Sequence, residues 1–260
     1  MNPGALEAHL RARRSAGHKL LVPYVTGGMS PDWLDVVHAV ADAGADAIEV
    51  GIPFSDPMMD GPTIQEASVR ALARGTTHHA LLDALGRSDV GVPLAVMTYY
   101  NIVFRAGHRR FASALADAGV AAAIVPDLPL EESADWRADA SGAGVEAVML
   151  VAPSTPDDRA AAICAVSRGF VYGIGTMGVT GERAALAETA GAVAGRLRSM
   201  TDVPVCIGIG VSTPAQAAEV CAQADGVVVG SALVRRLLDG GGAKAAAAFV
   251  GELRAGIDGA

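Results

Sequence analysis

The feature that most restricts this chain is a repeat of eight short apolar runs, each followed by an amphipathic segment with turn residues at the joints. The runs are Leu20 to Thr26, Ala47 to Pro53, Pro93 to Tyr99, Ala121 to Asp127, Val145 to Ala152, Phe170 to Gly175, Val203 to Gly208 and Gly226 to Gly230. Several show no alternation of polar and apolar residues, as strands buried on both faces do. Strand and helix in turn make βα units and a parallel sheet. Eight such units in 260 residues fit a closed (β/α)8 TIM barrel, whereas a doubly wound sheet would use fewer strands or add an edge.

Helix starts are marked by Ser30-Pro31-Asp32 before Trp33 to Gly44, and by Ser212-Thr213-Pro214 before Ala215 to Gln223. Glycines such as Gly44, Gly75 and Gly119 mark the stops. Leu6 to Ala16 and Ala243 to Ile257 are predicted as extra helices flanking the repeat, and Ser231 to Val234 as a short helix after strand eight. No Ser/Gly/Pro-rich linker divides the chain, so one domain over residues 1–260 is expected.

Composition then removes whole classes of function. With 51% hydrophobic and 18% charged residues, the chain carries enough apolar surface to offset the entropy of ordering, so it packs. The longest stretch free of charge, Val203 to Ala218, contains Pro and Gly and is shorter than the roughly 18 apolar residues a membrane span needs. A net charge of −8 has the wrong sign for binding a phosphate backbone, so nucleic acid is not an expected partner. Arg11, Arg13 and Arg14 read as a solvated helix face. Cys164, Cys206 and Cys221 are odd in number, lack CxxC spacing and sit in apolar contexts, which points to core thiols, neither disulfide nor zinc. His78 and His79 are not expected to face one way on a helix, so no metal site is expected there. No signal peptide is legible in the first thirty residues, and a reducing cytoplasm is the expected setting.

In such a barrel the chemistry lies at the carboxyl ends of the strands. Glu49 stands in Ala47-Ile48-Glu49-Val50-Gly51, otherwise apolar, and a buried unpaired carboxylate costs several kcal/mol. It is either a structural acid paired to a base elsewhere in the barrel or a tuned acid/base. The loop from Gly51 to Pro62 adds Asp56 and Asp60 before a helix expected from Thr63; Asp60 either caps that helix or joins Glu49. Gly208-Ile209-Gly210 and Gly230-Ser231 close strands seven and eight, where barrels of this kind hold phosphate on free backbone N–H groups. Gly178-Val-Thr-Gly181 follows strand six and reads as a lid or as a plain surface loop.

These residues carry a resemblance. Ile48-Glu-Val-Gly-Ile-Pro-Phe-Ser-Asp-Pro-Met-Met-Asp-Gly-Pro-Thr-Ile-Gln65 is similar to the signature of the tryptophan synthase α-subunit family. The similarity continues in Met97-Thr-Tyr-Tyr-Asn-Ile102, Val125-Pro-Asp-Leu128, Gly178-Val-Thr-Gly181 and Gly226-Val-Val-Val-Gly-Ser-Ala-Leu233, covering nearly the whole chain. The resemblance implies a retro-aldol lyase that splits indole-3-glycerol phosphate into indole and D-glyceraldehyde 3-phosphate without a metal or organic cofactor of its own. It implies Glu49 as general acid and base, Asp60 facing the indole N–H, and Tyr24, Tyr99, Tyr172 and Thr180 around the substrate. Gly181, Gly210, Gly230 and Ser231 are implied as the phosphate site. A pyridoxal phosphate-dependent β subunit is the implied partner, in an α2β2 heterotetramer, docked on the loops after strands two and six.

Two positions depart from the pattern: Gly175 stands where serine is frequent, and Tyr24 where phenylalanine is. The alternatives are a stand-alone lyase that releases indole, a non-catalytic barrel that regulates a β-type partner, and an unrelated phosphate-binding barrel. The last leaves the Pro-Phe-Ser-Asp-Pro loop without a purpose.

Overall fold

The computed structural model describes residues 3–175 and 183–259. Its eight strands are β1 Leu20–Thr26, β2 Ile48–Gly51, β3 Leu94–Met97, β4 Ala122–Ile124, β5 Glu146–Val151, β6 Val171–Ile174, β7 Val205–Gly208 and β8 Gly226–Val229. Each pairs in parallel with the next, and β8 returns to β1 through Leu20↔Gly226 to Pro23↔Val229, so the sheet is a closed barrel. All eight expected runs are strands, most of them trimmed at the ends, where prolines, glycines and aspartates leave the ladder.

The described helices are α1 Ala5–Ser15, α2 Trp33–Asp42, α3 Pro62–Ala73, α4 His78–Gly86, α5 Tyr100–Ala106, α6 His108–Asp117, α7 Ala134–Gly142, α8 Asp157–Val166, α9 Arg183–Arg198, α10 Pro214–Gln223, α11 Ser231–Leu238 and α12 Gly242–Asp258. The start signal before α10 works as expected: Pro214 opens the helix and the Thr213 side chain accepts the Gln216 N–H at 3.3 Å. The short helix expected after strand eight is α11, eight residues long.

A large apolar layer, including Val36, Val96, Leu115, Ile207 and Leu253, fills the space between strands and helices. A second cluster fills the barrel itself. There α1 lies across the bottom, and its Leu6 and Leu10 pack on Leu20, Val148 and Phe170. The first turn of α1 is held by Glu146 at the start of β5, whose Oε2 accepts the Leu6 N–H at 2.7 Å and whose Oε1 accepts the Glu7 N–H at 3.1 Å.

The arginines of α1 are not a solvated face. Arg13 donates to Asp46 at 2.6 Å and Arg14 to Asp225 at 3.0 Å, and these two buried aspartates also accept the N–H groups of Leu21 and Val205. The three cysteines are buried and unpaired. His78 and His79 lie against each other, ring centroids 3.9 Å apart, so they do share a side at the first turn of α4. Among the described residues no group of three or more His, Cys, Asp or Glu could hold a metal ion, and no described helix is long and apolar enough to cross a membrane.

Candidate active site

The plug closes the barrel below and leaves a cavity of about 200 Å³ at the carboxyl ends of the strands. Glu49 and Asp60 both line it. Glu49 projects from the middle of β2, with Tyr24 and Ala95 as its register partners on the two flanking strands. It is 1% exposed, and neither carboxyl oxygen has a hydrogen-bond partner among the described residues. The structural alternative, a salt bridge within the barrel, is therefore not what holds it. Burial, reinforced by the charge of Asp60, pushes its pKa up to about 8.

Asp60 comes from the loop that follows β2. It does not cap α3: the N-cap is Gly61, with no side-chain cap, and Asp60 uses its backbone carbonyl to accept the Gln65 side chain at 2.9 Å. Its carboxyl group is left for the cavity. Burial raises its pKa to about 6, and the hydrogen bond from Tyr99 opposes the rise.

The tyrosines divide into two kinds. Tyr24 and Tyr172 are cavity walls. Tyr99 is not among the lining residues: it caps the start of α5, its ring stacks on Phe54 at 4.9 Å, and its hydroxyl donates to Asp60 Oδ2 at 3.1 Å while accepting the Met59 N–H at 2.9 Å. It therefore positions the loop and its carboxylate, a role the sequence pattern did not reveal, because the contact spans 39 residues. Two strand-end glycines make room for the wall tyrosines. A Cβ on Gly51 would overlap the Tyr24 hydroxyl, and one on Gly208 would come within 2.6 Å of the Tyr172 ring.

The profile of the family described as tryptophan synthase alpha chain matches residues 10–254. The chain belongs to the tryptophan synthase alpha chain family. It is 46% identical to the tryptophan synthase alpha chain of Streptomyces coelicolor over 92% of this chain and 89% of that one, and 43% identical to that of Thermobifida fusca over 97% of each. Among solved structures, a tryptophan synthase chain from Mycobacterium tuberculosis superposes with a TM-score of 0.91 at 40% identity, covering 98% of this chain and 99% of that one. The tryptophan synthase subunit alpha of Legionella pneumophila does so with 0.91 at 29%, covering all of both. The activity is that of an alpha chain: a carbon–carbon lyase acting on indole-3-glycerol phosphate in tryptophan biosynthesis.

The alpha chain brings three of the four expected phosphate residues to one side of the cavity. Gly210, Gly230 and Ser231 all line it, at the end of β7 and the start of α11. Gly210 has φ +81°, open to glycine far more than to other residues, while a Cβ there would meet nothing. Its side-chain-free form thus serves the backbone path. Thr180 and Gly181 lie outside the described residues, as does the Gly178-Val-Thr-Gly181 segment. The departure at Gly175 has a packing counterpart: a Cβ there would come within 2.7 Å of the Ile209 Cβ and 3.3 Å of its Cα, so Ile209 occupies the space a serine would need.

Proposed function

We propose that Glu49 and Asp60 carry the proton transfers and charge stabilisation in the cleavage of indole-3-glycerol phosphate, without a metal or organic cofactor in this chain. Protonated Glu49 gives its proton to carbon 3 of the indole ring. The positive charge this leaves spreads to the ring nitrogen, where ionised Asp60 faces the N–H and stabilises it in a site poor in water. Glu49, now a carboxylate, takes the proton of the side-chain hydroxyl beside the scissile bond. The O–H electrons become the carbonyl of D-glyceraldehyde 3-phosphate, the electrons of the broken bond return to the ring as indole, and Glu49 is protonated again.

The observation that carries this reading is that both carboxyls line one cavity, Glu49 enclosed and without a hydrogen-bond partner among the described residues, and burial there raises Asp60 to about 6 and Glu49 to about 8. Between those values the first is ionised and the second holds its proton, which is the state the cycle starts from. Tyr24 and Tyr172 would flank the ring, and Thr180 would close on it. The phosphate would rest on the N–H groups of Gly181, Gly210, Gly230 and Ser231, aided by the positive end of α11.

We further propose that the chain works as one domain over residues 1–260, in the cytoplasm, a setting that three buried free thiols suit. Its partner as an alpha chain would be a β subunit in an α2β2 assembly, with pyridoxal phosphate confined to that β chain. Exposed Met58, Met59 and Phe104, on the loop after β2 and on α5, support a docking face beside the cavity mouth. The test is indole release from indole-3-glycerol phosphate, with and without a β chain, by the wild type and by Glu49→Gln. Release by the wild type, and release slower by roughly 10²-fold or more in the variant, is expected; equal release by both removes the assignment.

A further inference from the structure

Neither oxygen of Glu49 has a partner among the described residues, yet the cycle proposed above makes this group an anion once per turnover. An ionised carboxylate this deeply buried needs a donor. Ala95, on one flank, has none to offer. Tyr24, on the other, has a phenol. In a parallel pair, register partners project to the same side of the sheet, so the Tyr24 ring runs up beside the Glu49 side chain. It ends over Gly51, where a Cβ would overlap the hydroxyl and come within 2.5 Å of Cζ. Position 51 shares the Glu49 face of β2 and is the last residue of that strand before the loop that bears Asp60. The hydroxyl thus lies at the end of β2, on the face from which Glu49 projects and where the loop that bears Asp60 begins. Thr26, buried on the same strand, donates to it at 3.4 Å, which leaves the phenolic proton free for another acceptor.

We propose that Tyr24 is a positioning residue for the reaction, its hydroxyl donating to the Glu49 carboxylate in the half of the cycle when that group is ionised. The proposal rests on the assignment of Glu49 as the acid and base. The titratable groups facing the phenol are Asp60 from the loop after β2, Glu49 from β2, Tyr99 from the start of α5 and Tyr172 from β6. Burial and the two carboxylates hold Tyr24 far above the ordinary tyrosine range, so it remains a donor at every working pH.

Tyr24→Phe removes the oxygen and keeps the ring. The measurement is the pH dependence of kcat and KM for indole release by the wild type, Tyr24→Phe, Thr26→Val and Glu49→Gln, each checked by thermal melting. With the donor gone Glu49 holds its proton more tightly, so in Tyr24→Phe the basic limb of kcat/KM should move up by about one pH unit, and kcat should fall roughly tenfold with KM little changed. Thr26→Val, which removes the hydroxyl that orients the phenol, should move the same limb in the same direction by less, and carries the test if Tyr24→Phe does not fold. A basic limb that stays in place in both variants, or a rise in KM alone, overturns the proposal. Normal turnover by Glu49→Gln would instead overturn the assignment of Glu49 itself, so the two failures are told apart.

Discussion

The two ends of the barrel bury carboxylates in opposite ways. At the bottom, Asp46, Glu146 and Asp225 are almost fully enclosed, and each is answered: Asp46 by Arg13, Arg254 and the Leu21 N–H, Asp225 by Arg14 and the Val205 N–H, Glu146 by the first N–H groups of α1. At the top, Glu49 is just as enclosed and, among the described residues, answered by nothing. A satisfied buried acid ties elements together, here the plug helix to the starts of β2, β5 and β8. An unsatisfied one that lines a cavity is free to give and take a proton there. The same side-chain chemistry serves architecture below and reaction above, and hydrogen-bond partners make the difference.

The sharpest way to break that contrast is to remove the acid at each end and compare what is lost. Glu49→Gln should lower turnover by roughly 10²- to 10⁴-fold while the protein folds as before. Asp60→Asn should cost roughly 10²- to 10³-fold, read in the same indole assay, as the loss of one preorganised charge facing the developing cation. At the bottom the pattern should invert: Glu146→Ala should leave kcat unchanged and cost about 1–3 kcal/mol of unfolding free energy in denaturant titration, because the first turn of α1 loses its acceptor. A large drop in kcat there would dissolve the distinction between the ends.

Proton linkage sharpens the comparison further. Below the unfolded pKa of about 4.5 Glu49 is protonated whether the chain is folded or not. As pH rises toward about 8 the unfolded chain ionises this group and the folded chain does not, so wild-type stability declines across that window. Glu49→Gln should therefore melt above the wild type at pH 8 and level with it at pH 4. The smallest effect is expected from Tyr99→Phe. Without its hydrogen bond Asp60 moves up from about 6, so the acidic limb of kcat/KM should shift upward while the basic limb stays.

Much of this was legible in the chain because short apolar runs recur between amphipathic segments, several of them without the alternation that a solvent-facing strand shows, and the eight runs became the eight strands. Glu49 was legible for the same reason, as the one charge in an apolar strand. What distinguishes it from a structural acid was not, since the arginines that satisfy Asp46 and Asp225 come from elements as distant as α1 and α12. Arg13 and Arg14 read as surface for that reason. Tyr99 was placed around the substrate by the resemblance alone, and the sequence does not show that its hydroxyl turns toward the loop that bears Asp60. Gly208 read as part of a phosphate turn, and its closest constraint is the Tyr172 ring.

The central claim is that the Glu49 carboxyl, enclosed and without a hydrogen-bond partner among the described residues, is protonated at neutral pH. Its ionisation can be followed directly by ¹³C NMR of the labelled side-chain carboxyl, assigned by its absence in Glu49→Gln. The account predicts a midpoint near 8; a midpoint near the ordinary glutamate value of about 4.3 would contradict it.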